Sequence, residues 1–269
     1  MTDRHRSRRA VAALGAMALL AASAAGCGSD TGSGPEPRAG SRVDTSPAAA
    51  GGDLPRGVEP VHLDPADFTT PIDNPYLPMA PGSRWVYNET SADGERKRVD
   101  VAVTDRTKRV TGIEARVVHD VVTEGGRVVE DTFDWYAQDR AGNVWYLGET
   151  TKEFEPGKPP STKGSWEAGV DRAQPGIAMP ARPRIGLDYR QEHYAGEAED
   201  RGRVVGLDEQ AEVPAGHYTR ALMTRDANPL EPRVLEYKLY ARGVGLVLAL
   251  QSSGGSGREE LVRFERGRR

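Results

Sequence analysis

From residue 82 onward apolar side chains recur at every second position, and that period excludes most architectures at once. Val99, Val101 and Val103 alternate with Asp100, Ala102 and Thr104, and Leu235, Tyr237 and Leu239 alternate with Glu236 and Lys238. Successive side chains of a strand point to opposite faces, so each stretch reads as a strand with one face buried. Ala115 to Thr123 is apolar on both faces and reads as a more central strand. Glu124-Gly125-Gly126-Arg127 reads as a hairpin turn, because paired glycines supply the positive φ angles it needs. Asp139 to Asn143 makes a second turn, and no window carries a sustained amphipathic helix with caps.

The two halves of this region correspond. A shift of 104 residues carries Gly82, Trp85, Val101, Gly112, Phe133 and Tyr136 onto Gly186, Tyr189, Val205, Gly216, Tyr237 and Tyr240 without a gap. These are turn glycines and strand aromatics or β-branched residues, so the halves read as two related antiparallel meanders of about five strands. The fold class expected is all-β: curved antiparallel sheets forming a sandwich or a barrel. The first meander spans 82–149 and the second 186–264. Between them, 150–185 is a long insertion rich in proline, including Pro156, Pro159, Pro160, Pro175, Pro180 and Pro183. A connection of that length is uncommon unless it covers or binds something.

The N-terminus carries an address. Arg4, Arg6, Arg8 and Arg9 precede an apolar run from Ala10 to Ala25 that ends in Ala24-Ala25-Gly26-Cys27. A basic start, a short apolar stretch and small residues are the parts of a secretory signal, and the run is shorter than the ~20 residues of a spanning helix. The tetrapeptide resembles the lipobox of bacterial lipoproteins, with Ala24 where leucine is usual. That resemblance implies cleavage after residue 26 and lipidation of Cys27, the only cysteine in the chain. Ser7-Arg8-Arg9-Ala10-Val11 is also similar to a twin-arginine export signal. Residues 27–57 are Gly, Ser, Pro, Ala and Asp with little to bury, and read as a flexible tether with an r.m.s. span of roughly 30 Å. Residues 58–269 then form one β-rich domain. The expected location is the extracytoplasmic face of the cell membrane, held there by lipid.

Removing 1–26 takes away four arginines and one aspartate, which leaves 32 basic and 39 acidic residues and a net charge of −7. An acidic domain is a poor partner for nucleic acid or anionic headgroups. Arginine outnumbers lysine 30 to 6, a composition typical of a high-GC, actinobacterium-like source.

Several stretches resemble a known group of proteins. They are Ile72-Asp73-Asn74-Pro75-Tyr76-Leu77-Pro78-Met79 leading to Pro81-Gly82-Ser83-Arg84-Trp85-Val86-Tyr87, then Asp134 to Asp139 with Gly142 to Tyr146, and Tyr240 to Gly245. Together they are similar to an uncharacterised family of bacterial secreted proteins and lipoproteins over most of 64–264, a family that brings no activity with it. The Trp-x-Tyr start and the Tyr-Ala-x-Gly-Val-Gly end are also similar to lipoprotein-carrier-like or lipocalin-like envelope β-proteins.

Motifs for chemistry are sparse. His62, His119, His193 and His217 form no His-x-x-x-His pair, and Asp139 with Asn143 lacks the repeated acids of a calcium loop, so no metal and no cofactor is expected. Ser165 lies in no Gly-x-Ser-x-Gly elbow. Asp131 and Asp134 stand an odd number of residues apart and point to opposite faces of one strand. The other acids, among them Glu149, Glu192, Glu197, Glu199 and Asp200, read as solvated strand faces and loops. Aromatic residues are the better candidates. Trp135, Tyr136, Trp145 and Trp166 are the expected ligand-binding residues, Trp166 first because it lies in the proline-rich insertion outside the strand pattern. The function expected is non-catalytic binding of an apolar small molecule or an envelope protein. Alternatives are an extracytoplasmic hydrolase of an envelope polymer, with His119, His193 and Glu192 as residues to check, and a structural assembly component.

Overall fold

The computed structural model describes residues 54–69 and 71–268; Cys27, the signal segment and the tether up to residue 53 lie outside them. Fifteen strands follow in chain order: β1 (Phe68–Thr69), β2 (Arg84–Thr90), β3 (Arg96–Val110), β4 (Ile113–Glu124), β5 (Arg127–Asp139), β6 (Val144–Glu153), β7 (Trp166–Glu167), β8 (Gln174–Met179), β9 (Asp188–Arg190), β10 (Glu192–His193), β11 (Arg201–Val213), β12 (Gly216–Ala227), β13 (Leu235–Ala241), β14 (Gly245–Ser253) and β15 (Arg258–Glu265). Every pairing is antiparallel, in the order β10-β8-β6-β5-β4-β3-β2-β15-β14-β13-β12-β11-β9. The two ends of that order, β10 and β9, are pieces of one segment separated by Gln191. Its first part pairs with β11 and its second with β8, so the edges of the sheet meet and the sheet nearly closes into a barrel of twelve strand positions. The expected all-β class is therefore observed, in its barrel form.

The expected internal repeat sets the architecture. Adding 104 to the bounds of β3 gives 200–214, against an observed β11 of 201–213, and β4 maps in the same way onto β12. Gly82 and Gly186 both take positive φ, 80° and 85°, and donate to Val103 and Val204 at 2.8 and 2.9 Å. Each half holds six strand positions: β2 to β6 with β8, and β9/β10 with β11 to β15. The proline-rich 150–185 stretch thus supplies the sixth strand of the first half, as β15 does for the second. It also supplies β7, which extends the edge of β6 beyond β8. The Gly125-Gly126 turn joins β4 to β5 with φ of 56° and 80°. At the Asp139–Asn143 turn the Asp139 carboxylate accepts from the Asn143 backbone and side chain at 2.9 and 2.8 Å.

The segment 71–81 packs one end of the barrel. Ile72, Tyr76, Leu77 and Met79 join the apolar core with Trp85, Val101 and Val103. Buried Asn74 donates to the carbonyls of Gly142 and Pro180, and Gly243 donates to the Pro75 carbonyl at 2.7 Å, so this segment ties the first half to the second.

The seam at 188–193 is short, two registered pairs on one side and three on the other. Arg190 reinforces it. Its buried guanidinium donates to the carbonyls of Gly57, Glu59 and Pro175 at 2.6, 2.8 and 3.0 Å, and its backbone N–H donates to Pro55. Residues 55–59 are thereby strapped over the seam. Gly176 lets β8 come close there, since a Cβ at that position would collide with the backbone of Arg190 and Gln191. Gly176→Ala is expected to lower the unfolding free energy by about 2–4 kcal/mol, as overpacking against backbone does. A loss below about 0.5 kcal/mol in urea titration would show that the seam does not hold the sheet closed.

Candidate functional site

Side chains directly opposite one another in a ladder share a face, so strand register identifies the inner wall. Tyr87, Val99 and Val122 are successive partners and wholly or nearly buried. Followed from there, the same face carries Glu89 with Glu259, Asp120 with Thr132, Asp134 with Glu149, and Asp226 with Glu236. Glu130 lies on it opposite Val122, and Lys238 opposite Thr224. Nine buried carboxyls are found among the described residues: these seven strand acids with Glu130 and Glu192. Half-buried Asp200 adjoins Glu192. The half of the barrel remote from 71–81 is therefore lined by acids from most of its strands.

Two lysines answer them. Lys238 reaches Asp226 and Glu236, each at 3.1 Å, and Lys97 lies 3.7 Å from Glu89. Among the described residues no lysine or arginine forms an ion pair with the other inner carboxyls. Burial accordingly raises their pKa values, since a charged carboxylate loses its hydration there. Glu130 is pushed up to about 7, although the Thr132 hydroxyl at 3.1 Å opposes the shift. Asp134 is also pushed up to about 7 against a 2.7 Å hydrogen bond from the Tyr146 hydroxyl. Asp120 and Glu259 rise well above the usual range, by burial first and then by Glu130 and Glu89 respectively. Glu149 rises in the same way, with Asp134 as its nearest like charge. Glu192 is raised by burial first and then by the adjacent Asp200. Burial works against the Lys238 ammonium, but Glu236 and Asp226 outweigh it and hold the proton firmly.

The four aromatic residues expected to bind ligand are all buried, but they are not gathered in one place. Tyr136 stacks on Tyr146 at 4.9 Å, and Tyr146 meets Trp166 edge-on at 5.3 Å, beside the inner carboxyls. Trp166 opens strand β7 opposite Glu149 rather than lying in a free loop. Gly148 permits this, because a Cβ there would strike the Trp166 carbonyl. Trp135 faces the other side of β5, where Lys108 sits 3.3 Å over its ring. Trp145 donates to Asp139 at 2.8 Å and packs edge-on against Phe68. Cys27 lies outside the described residues.

Several acids read from sequence as solvated faces are instead interior. Asp134, Glu149 and Glu192 are buried, whereas Asp131 lies on the opposite face of β5 from Asp134, as their odd spacing predicts, and meets His119 at 2.6 Å. On β13 the pattern is inverted: Glu236 and Lys238 point inward while Leu235 and Tyr237 are half-exposed. A signal existed in the spacing, since Tyr87 and Glu89 share one parity, as do Asp120 and Val122, and Glu130, Thr132 and Asp134.

No family model and no curated protein matches the chain. Among solved structures, one described provisionally as an exported protein with a YmcC-like fold, from Bacteroides fragilis, is 15% identical with a TM-score of 0.43; the match covers 71% of this chain and 99% of that one. A provisionally described lipoprotein from Parabacteroides distasonis is 13% identical with a TM-score of 0.41, again over 71% and 99% of the two chains. Neither likeness is close enough to carry an activity to this chain.

The raised carboxyls fix the direction of pH dependence. A group whose folded pKa exceeds its unfolded value stabilises fully below the unfolded value and loses that contribution as pH rises through the folded one. For Glu130 and Asp134 the window runs from their ordinary values of 4.5 and 3.8 to about 7. Stability is therefore expected to fall between pH 5 and 7, by about 1.4 kcal/mol per pH unit for each net proton released. Asp134→Asn should flatten the curve while still accepting from Tyr146. Urea midpoints that stay level or climb across this range would contradict the assignment.

Proposed function

We propose that the chain is an exported, lipid-anchored binding protein, non-catalytic, that holds a hydrophilic ligand against the carboxyl-lined half of its barrel. The address rests on the basic start, the short apolar run and Cys27. The observation that carries the binding reading is the inner wall itself: among the described residues, nine buried carboxyls with only Lys97 and Lys238 in ion pairs with them. Small barrels ordinarily fill their interiors with side chains, and larger ones enclose ligands. A wall of buried acids costs stability unless protons or a cationic ligand neutralise it.

Other readings have less support. An apolar ligand would suit the opposite end, where Ile72, Tyr76, Leu77 and Met79 already join the core. Hydrolysis would need His119, His193 and Glu192 to converge. His119 stacks on Phe133 at 4.2 Å on the outward face of β4, and Glu192 faces inward. The Ser165 hydroxyl is taken up by the Thr151 backbone, at 3.0 and 3.3 Å. An assembly role calls for a broad apolar patch, whereas Val58, Val128, Val170, Ile185 and Leu207 are exposed on five separate segments.

Native mass spectrometry of the full chain, extracted from its producing bacterium in mild detergent, tests both parts. The expected mass is that of residues 27–269 with a diacylglyceryl adduct and one further hydrophilic small molecule. Glu149→Gln should lose that molecule and Asp131→Asn should keep it. A chain carrying lipid and nothing else, across several mild preparations, would sink the binding reading; one without lipid would sink the anchor.

A further inference from the structure

The inner wall is neutralised unevenly. Lys238 and Lys97 serve Asp226, Glu236 and Glu89, whereas the arc from β4 through β10 to the start of β11 has no cation in an ion pair among the described residues. That arc holds Asp120, Glu130 and two adjacent carboxyl pairs. Asp134 and Glu149 face each other across β5 and β6, and Glu192 adjoins Asp200, whose backbone carbonyl accepts from the Gln191 and Glu192 N–H groups. Trp166 lies between the pairs, opposite Glu149 in register and with its indole N–H toward Glu192.

Trp166 adds an observation independent of the acids. Its side chain is 4% exposed, and its N–H points at the Glu192 carboxyl without reaching good hydrogen-bond geometry. A buried donor held this loosely is poorly compensated for its lost hydration, so the arrangement is incomplete as it stands. Glu149 Oε2, Glu192 Oε2 and Asp120 Oδ1 are likewise buried acceptors without donors.

We propose that this arc binds an organic diamine or polyamine, with one ammonium between Asp134 and Glu149, a second between Glu192 and Asp200, and the intervening methylenes against Trp166 and Tyr146. The proposal rests on the reading that the inner wall is the ligand site, and it names the ligand class. An ammonium brings several N–H donors to oxygens that have none, and an aromatic face adds attraction for a cation and its alkyl stem. Once an ammonium ionises Glu192, its carboxylate can also accept from the Trp166 N–H. A compact metal ion fits less well, because among the described residues no group of three or more His, Cys, Asp or Glu side chains converges closely enough to hold one. The charge is laid out as two separated centres with an aromatic surface between them.

Isothermal titration of the full chain in detergent with spermidine, butylamine, calcium chloride and magnesium chloride tests this. Spermidine should bind, and butylamine at least about tenfold more weakly, equivalent to about 1.4 kcal/mol. Glu149→Gln and Glu192→Gln, which preserve side-chain volume, should each weaken spermidine about tenfold or more, while Glu212→Gln on exposed surface should leave it unchanged. Spermidine should also raise the thermal midpoint of the unmodified chain beyond what sodium chloride of equal ionic strength does, a readout independent of how the variants fold. Absence of spermidine binding, or binding undiminished in both inner-wall variants, overturns the proposal. Calcium binding without spermidine, or a co-purifying hydrophilic molecule that is no amine, overturns the amine class and leaves the inner-wall site standing. If no probe binds and nothing co-purifies, both readings fall together.

Discussion

Everything in this molecule depends on one six-residue segment belonging to two ladders. Asp188–Arg190 pairs with β11 and Glu192–His193 with β8, so both open edges of the sheet are consumed by the same stretch of chain. Unpaired edges invite association with other strands, and an unclosed sheet would expose the acids of its concave face to water and to one another. So few ladder bonds make a weak closure by themselves. The Arg190 guanidinium compensates with a planar set of donors, which meets three carbonyls from two chain segments at once. Burial lowers its pKa, and the nearby Glu59 offsets part of that cost. The strap over residues 55–59 is thus part of the barrel wall rather than an appendage.

The pseudo-symmetry explains where the irregularity sits. The two halves must join twice. At one junction β15 and β2 run together through seven registered pairs, interrupted by a single bulge between Leu261 and Arg263. The equivalent junction joins β8 to β9/β10, and there the chain must change partners within six residues. Gly176 and Gly148 fall beside this second junction, and each position leaves no room for a Cβ against neighbouring backbone. Backbone crowding of this kind localises at the asymmetric seam, where β7, Glu192 and Asp200 are also found.

The sequence was legible wherever local rules governed the result. Paired glycines made the turn between β4 and β5, and the 104-residue offset located the second half because equivalent hairpins need equivalent turn residues. The candidate site was illegible for a reason specific to barrels. Alternation reports that a strand has two unlike faces, but which face is interior depends on the neighbours. On β13 the eye takes Leu235, Tyr237 and Leu239 for the buried face, yet register with β12 and β14 turns Glu236 and Lys238 inward. Nothing local to residues 235–241 encodes that choice. Trp166 was singled out for lying in a loop, but it is a strand residue whose position follows from pairing with β6.

The distribution of charge is more selective than composition requires. On the outer face, acids are met by the chain's abundant arginines: Asp100 by Arg84 and Arg98, and Glu260 by Arg258. Among the described residues only one arginine is buried, and Arg190 is committed to backbone carbonyls, although 30 arginines were available to neutralise the interior. The inner wall carries ten carboxyls, counting Asp200, against two lysines, a formal excess of eight negative charges. The chain after residue 26 has a formal net charge of −7, so the remainder is close to neutral. The formal acidity of this sequence is therefore concentrated in its interior, where burial favours the protonated form of most of these carboxyls and where a bound cation would favour their ionisation.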